Sequence, residues 1–141
     1  MPPLIDDQTI PADAVLLRVL RQDPNWTTNK GGRFRPASLA FFSTTEEISY
    51  FLEAPDIVAE LWRIFPGHRI ARIPSSVIRA EGFAIERRPD ECPPDFRGDR
   101  ACHVVAGPAL QVTRIEFQRR AGSIARHLDV TIIEPEPGAG N

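Results

Sequence analysis

Lysine is nearly absent from this chain: Lys30 is the one lysine among seventeen basic residues, the rest being arginine. Arginine's planar fork of donors suits bidentate recognition of phosphate or carboxylate, although a GC-rich coding bias is the plainer account of the excess. Cysteine is scarce too. Cys92 and Cys102 make neither a disulfide framework nor a metal-ligand spacing, which fits a reducing cytosol. The three histidines, His68, His103 and His127, share no short ligand spacing, so no metal site is expected. Charge of one sign is lacking as well: a net charge of −2 offers no general attraction to nucleic acid or to an anionic membrane. No apolar run approaches membrane-spanning length, and the first residues lack a basic n-region. Neither anchor nor export is expected, and the cytoplasm is the expected location. Gly31-Gly32 has neither the phosphate-loop nor the dinucleotide spacing.

What is present is an ordinary globular composition, 42 % hydrophobic and 26 % charged over 141 residues, enough for one core. Fourteen prolines predict short elements and stiff, numerous loops. Residues 1–13 read as a lead-in ordered only in its last few positions, 14–134 as a single domain, and 135–141 as a flexible tail. Along the chain the pattern predicts a strand over 14–20, a long functional-type loop over 21–37 and a short strand over 38–43. Ile48–Leu52 alternates like a strand and also fits a helix. A helix over 55–65 carries one apolar face. Then come a strand (68–73), a short helix (74–82), a strand (83–87), a second charged loop (88–100), a strand (101–106), a helix from the Thr113-x-x-Glu116 box to about His127, and a closing strand (130–133). Strands outnumber helices without regular alternation. The fold class is α+β: one compact domain with a twisted, mostly antiparallel sheet and two or three helices.

Candidate chemistry is spread along the same stretches. His103 sits in an apolar strand after the second loop, where it is a general-base candidate or a half-buried sheet histidine bonded to a carbonyl. His68 and His127 fall at element ends and read as surface residues. Arg18, inside an apolar strand, needs an anionic partner if buried. Arg33, Arg35 and Ser38 form a basic, hydroxyl-bearing turn suited to phosphate, and equally to a solvated turn. Trp26, on the first loop, is a stacking surface or a lid on the core. Ser43 ends the apolar run, and Glu46, Glu47 and Glu53 lie where a carboxylate could stabilise charge developing on a ribose, or equally on a solvated helix face.

Taken together, Arg18, Gly31-Gly32-Arg33, Phe41-Phe42-Ser43 and Glu53 resemble the small ADP-ribosyltransferase-like toxins of the RES class. The run Arg35, Pro36, Ser38, Ala40, Phe41, followed by Arg79 with Gly82 and by His103, also resembles uncharacterised bacterial domains associated with conflict and phage defence. The two patterns cover roughly residues 18–106. The resemblance implies NAD as a substrate for glycohydrolysis or ADP-ribosyl transfer, on NAD or on a nucleotide end, without a metal. Arg18 and Arg33 would hold the pyrophosphate, and Ser43 and Glu53 would serve the nicotinamide ribose. It predicts that Arg18, Arg33 and His103 line one cleft. The alternative is a non-catalytic protein, an antitoxin, immunity protein or adaptor, that meets a cognate toxin, antitoxin or defence component through an exposed apolar patch or a mixed-charge groove; a homodimer is compatible with either. Nucleic-acid binding through the arginines of 114–126 is the weakest reading at this net charge.

Overall fold

A computed structural model describes residues 3–135; most of the expected tail lies outside them. Among the described residues there are eight strands and three α-helices. The strands are β1 (Val15–Val19), β2 (Thr27–Lys30), β3 (Arg33–Pro36), β4 (Ile48–Leu52), β5 (Ile70–Pro74), β6 (Phe83–Arg87), β7 (His103–Pro108) and β8 (Thr131–Ile133). The helices are α1 (Ile57–Ile64), α2 (Ser75–Ala80) and α3 (Arg114–Arg126). Six strands form one antiparallel sheet in the order β6-β7-β4-β1-β5-β8, and β2 and β3 make a separate hairpin. The α+β class expected from the element order is the fold observed.

Period-two alternation splits the sheet's side chains between two cores. Leu16, Tyr50, Ile73, Ile85 and Val104 face α2, α3 and a 3₁₀ turn, Ser38–Phe41, that supplies Phe41. Leu17, Phe51 and Ile70 face α1, through Ile57 and Leu61, and the loop residues Cys92 and Phe96. With Leu61 wholly buried, α1's apolar stripe is held at roughly 1.5–3 kcal/mol per large side chain, more than any surface ion pair on it supplies. Helix α3 begins at Thr113, whose hydroxyl accepts from the Glu116 N–H as its spacing predicts. The tightest approach joins β7 to the turn before β4: a methyl at Gly107 would sit 2.4 Å from the Glu46 carbonyl oxygen.

Four expectations are corrected or resolved. Ser38–Ser43 is not a strand: Phe41 turns into the core from the 3₁₀ turn, and this segment packs against α3 instead of joining the sheet. Residues 21–37 are not a structureless loop, because Gly31 and Gly32, both at positive φ, reverse the chain into the β2–β3 hairpin, with Asn29 accepting from the Gly32 N–H. The run 48–52 is a strand. The N-terminal segment is anchored from Leu4 onward, not merely at its end. Leu4 is buried, the Asp6 carboxylate accepts from the Ile85 N–H, and the Asp7 N–H donates to the Ile85 carbonyl. This segment closes the exposed edge of β6, as an edge strand requires. Arg79 fixes it by donating to Asp6 and to the carbonyls of Asp7 and Ile10.

The same anchor predicts acid sensitivity. Asp7 accepts from the Thr9 hydroxyl, the Thr9 N–H and Arg87, which hold its pKa down from 3.8 to about 2. Because the folded value is the lower one, the contribution is complete above about pH 4 and drains away as pH falls toward 2. An NMR titration of the Asp7 carboxyl carbon should give a midpoint near 2. A midpoint near 4 would show the anchor is not formed in solution.

Candidate functional site

The central ladder of the sheet is incomplete. Strands β1 and β4 pair only at Leu16↔Leu52 and Leu17↔Phe51. Beyond that point β1 continues against β5 to Val19↔Ile70, while β4 continues against β7 to Ile48↔Ala106. The two strands therefore part in the middle of the sheet, and Arg18 stands in the gap. Its Nη1 donates to the Ser49 carbonyl (3.1 Å), and its Nε donates to the Ala40 carbonyl of the 3₁₀ turn (3.1 Å). Arg18 is in effect a side-chain rung where the backbone ladder stops.

Two cavities open onto this gap and share Arg18, Arg21, Trp26 and Ser49. The inner one, of about 300 Å³, runs on to Phe51, Phe65, His68 and His103. The outer one, of about 600 Å³, runs on to Leu39, Ser43 and Arg114. Trp26 is buried, with the Arg18 guanidinium 5.0 Å and the Arg21 guanidinium 5.2 Å from its ring centroid. Among the described residues neither arginine makes an ion pair with a carboxylate. Burial pulls the Arg18 pKa below its usual value; the neighbouring Tyr50 opposes this and the nearby Arg21 adds to it. Tyr50 itself is pushed well above the ordinary phenol value by burial.

The carboxylates closest to hand are already engaged. Arg88 binds Glu86 (2.8 Å) and Glu91 (2.7 Å) and lies 3.4 Å from Glu47, so Glu91 and Glu47 on the cavity walls meet a third arginine, while Asp23 on the outer wall accepts from the Asn25 N–H. The hydrogen bond to Glu91, then that to Glu86 and the charges of Glu47 and Glu86, drive the Arg88 pKa up against the opposing effect of burial. Arg18 is left with the neutral carbonyls of Ala40 and Ser49, and Arg21 with the face of Trp26.

His103 is buried on β7 with its ring edge-on to Phe51. Its Nδ1 lies 2.8 Å from the Arg88 carbonyl oxygen. A carbonyl only accepts, so Nδ1 carries the proton and Nε2 is the free nitrogen. Nε2 has no partner among the described residues and keeps contact with the cavity. His68 repeats the arrangement: its Nδ1 lies 3.1 Å from the Pro66 carbonyl oxygen, and the ring lines the same inner cavity.

The residues expected from sequence divide into two groups. Arg18, Trp26 and His103 meet at the inner cavity, and Ser43 lines the outer one, its hydroxyl 2.9 Å from that of Thr45. Arg33 does not join them. It is exposed at the hairpin tip, opposite Lys30, because the glycine turn carries it away from the sheet. Arg35 is drawn to the end of α3, where it donates to the His127 carbonyl (2.8 Å). Ser38 starts the 3₁₀ turn and packs toward Gly122 of α3. Glu53 forms a two-bond ion pair with Arg72 (2.7 and 2.8 Å), which lowers its pKa, and borders neither cavity at the gap. The expected single cleft of Arg18, Arg33 and His103 is therefore not formed.

Sequence reading missed Arg21, left His68 as a surface residue and counted Arg114 only among the arginines of the last helix; each sits at or beyond an element end. Only the direction in which the chain leaves the element brings it to the gap. Among the described residues no three His, Cys, Asp or Glu side chains converge as metal ligands, and no helix is long and apolar enough to cross a membrane. Comparison with protein-family models, curated proteins and solved structures finds no match, so the site's own chemistry carries the functional argument.

Because its ion pair with Arg72 is about one-third exposed and remote from the gap, Glu53→Gln should lower stability by no more than about 1 kcal/mol. A denaturant titration reads this directly. A loss well beyond 2 kcal/mol would mean that Glu53 supports the cleft after all.

Proposed function

We propose that the gap between β1 and β4 binds a ligand with a planar ring and an anionic group, of the nucleotide class, and that this is a small ADP-ribosyltransferase-like domain acting on NAD or on a nucleotide end. One observation carries the reading: two guanidiniums without a carboxylate partner converge on one buried indole at the mouth of a cavity large enough for such a ligand. A phosphate would supply the charge both arginines lack, and a base or nicotinamide ring would find apolar surface on Phe51, Phe65 and Trp26. NAD enters through the resemblance. Of the residues that the resemblance named, Arg18 and Ser43 stay at the gap, while Arg33 and Glu53 do not. A carboxylate for glycosidic cleavage would then come from Glu47 or Glu91, which line the cavities.

A non-catalytic partner protein is the second reading, favoured by Leu110 and Ile115, which stand 78 % and 79 % exposed at the start of α3. Two side chains fall well short of the roughly 800 Å² per partner that a stable interface buries, so this reading ranks second.

Calorimetric titration separates the two. AMP and NAD should bind, adenosine at least tenfold more weakly, and Arg18→Gln combined with Arg21→Gln should cost tenfold or more for the phosphate-bearing ligands alone. Arg33→Ala should bind as the parent does. A folded protein that takes up no phosphate-bearing nucleotide would end the nucleotide reading and leave the partner protein.

A further inference from the structure

The inner cavity holds more than an anion site. His103 enters from β7 and His68 from the turn between α1 and β5, so the two imidazoles come from different walls of one space of about 300 Å³. Each ring gives its Nδ1 proton to a backbone carbonyl, Arg88 for His103 and Pro66 for His68. In each ring Nδ1 is thus engaged by a main-chain atom that does not titrate, and Nε2 is the nitrogen left without a main-chain partner on a ring that lines the cavity. The carbonyl bond and the Phe51 contact of His103 are those of a structural sheet histidine, and the His68 ring contacts Phe65; what sets the pair apart is that both rings line one cavity. Two fixed imidazoles facing one anion site are the parts of an acid–base pair. No serine, threonine or cysteine among the described residues is hydrogen-bonded to either ring, so the protein activates no nucleophile of its own there. The nucleophile must arrive with the substrate.

We infer that the inner cavity is a phosphoryl-transfer site that cleaves a ribonucleotide 3′–5′ phosphodiester through the substrate's own 2′-hydroxyl, with His103 and His68 as its proton-transferring residues. This rests only on the nucleotide occupancy proposed above and goes beyond the ADP-ribosyl reading, to a phosphoryl-transfer reaction at the inner cavity. One neutral imidazole accepts the 2′-hydroxyl proton at Nε2 as the 2′-oxygen bonds to phosphorus. The other imidazole, protonated, gives its Nε2 proton to the departing 5′-oxygen as the P–O5′ bond breaks. The products are a 2′,3′-cyclic phosphate and a free 5′-hydroxyl; one proton enters the enzyme and one leaves it, and no co-reactant is consumed. Arg18 and Arg21 stand where the phosphoryl oxygens gain charge in the transition state, and there a preorganised cation acts most strongly. His103, the more deeply buried, is bonded to the main chain of the residue that also holds Glu86 and Glu91, so its position is tied to the whole Arg88 cluster.

The test uses the whole chain with uridylyl-3′,5′-adenosine, its 2′-deoxy counterpart and NAD as probes. Products are resolved by mass spectrometry and binding is followed by calorimetry. The expected result is 2′,3′-cyclic uridylate and adenosine from the ribose form, in the presence of a chelator, and no cleavage of the deoxy form, which still binds. His103→Asn and His68→Asn each keep an amide able to donate to the same carbonyl but lack Nε2. Each should lower the cleavage rate at least 100-fold, with binding of the deoxy form and the melting temperature close to those of the parent. Arg18→Gln should weaken both binding and cleavage. Binding of the dinucleotides without cleavage, or cleavage that survives both asparagine variants, would overturn this inference while leaving nucleotide binding in place. Failure of a folded protein to bind any of the three probes would overturn both.

Discussion

Arg18 is the interaction on which the rest of the structure depends. A six-stranded sheet ordinarily closes every ladder, yet here β1 and β4 separate after two pairs. The hydrogen bonds that backbone amides would have made are replaced by donors of one guanidinium, to Ser49 on the neighbouring strand and to Ala40 on the overlying turn. Such a replacement is costly. A largely buried cation held by neutral carbonyls lacks the carboxylate that buried arginines normally have, and Arg21 beside it adds repulsion. A valine at this position would complete the alternation of β1 and allow the ladder to zip. The sequence keeps a charge where packing asks for none, and that is the physical signature of a site.

The surroundings keep the gap open and the charge unpaired. Trp26 reaches the core from the short turn that leads into the hairpin, and gives both arginines an aromatic face. On the opposite rim, the turn over residues 43–47 is held by Arg114, which donates to the Ser43 carbonyl, and by the close contact of Glu46 with Gly107. Glu46 pays for this turn with a positive φ of 62°, a conformation rarely adopted by residues other than glycine. The Arg88 cluster does the electrostatic half of the work. By binding Glu86 and Glu91 and lying close to Glu47, it keeps these carboxylates to itself. Backbone strain and ion pairing thus serve the same two cavities.

Most of the sheet was legible in the sequence, and most of the site was not. Alternation in 14–20 and 83–87, the Pro55 start of α1 and the Thr113 box of α3 are local signals, and each leads to the element it implies. The segment 38–43 failed because an apolar run of that length has no period: Phe41 is buried equally well by a strand or by a turn pressed on α3. Arg18 and His103 could be singled out because a polar residue in an apolar strand breaks a local rule. Arg33 and Glu53 broke no local rule and were carried by residue type and motif similarity; the hairpin and the Arg72 pair take them elsewhere. His68 and Arg21 were invisible for the converse reason. A histidine or arginine at the end of an element is an ordinary surface residue until the tertiary fold turns that end toward a cavity.

The measurement that tests this account most directly is an NMR titration of the protein with AMP, following backbone amides and the indole and guanidinium N–H signals. The account predicts that shifts concentrate on Arg18, Arg21, Ser49 and the Trp26 indole, the four residues common to both cavities, with His103 and His68 next. The hairpin tip at Arg33 and the Glu53–Arg72 pair should stay still. Shifts centred on the hairpin or on the start of α3, with the Arg18 guanidinium unmoved, would contradict it.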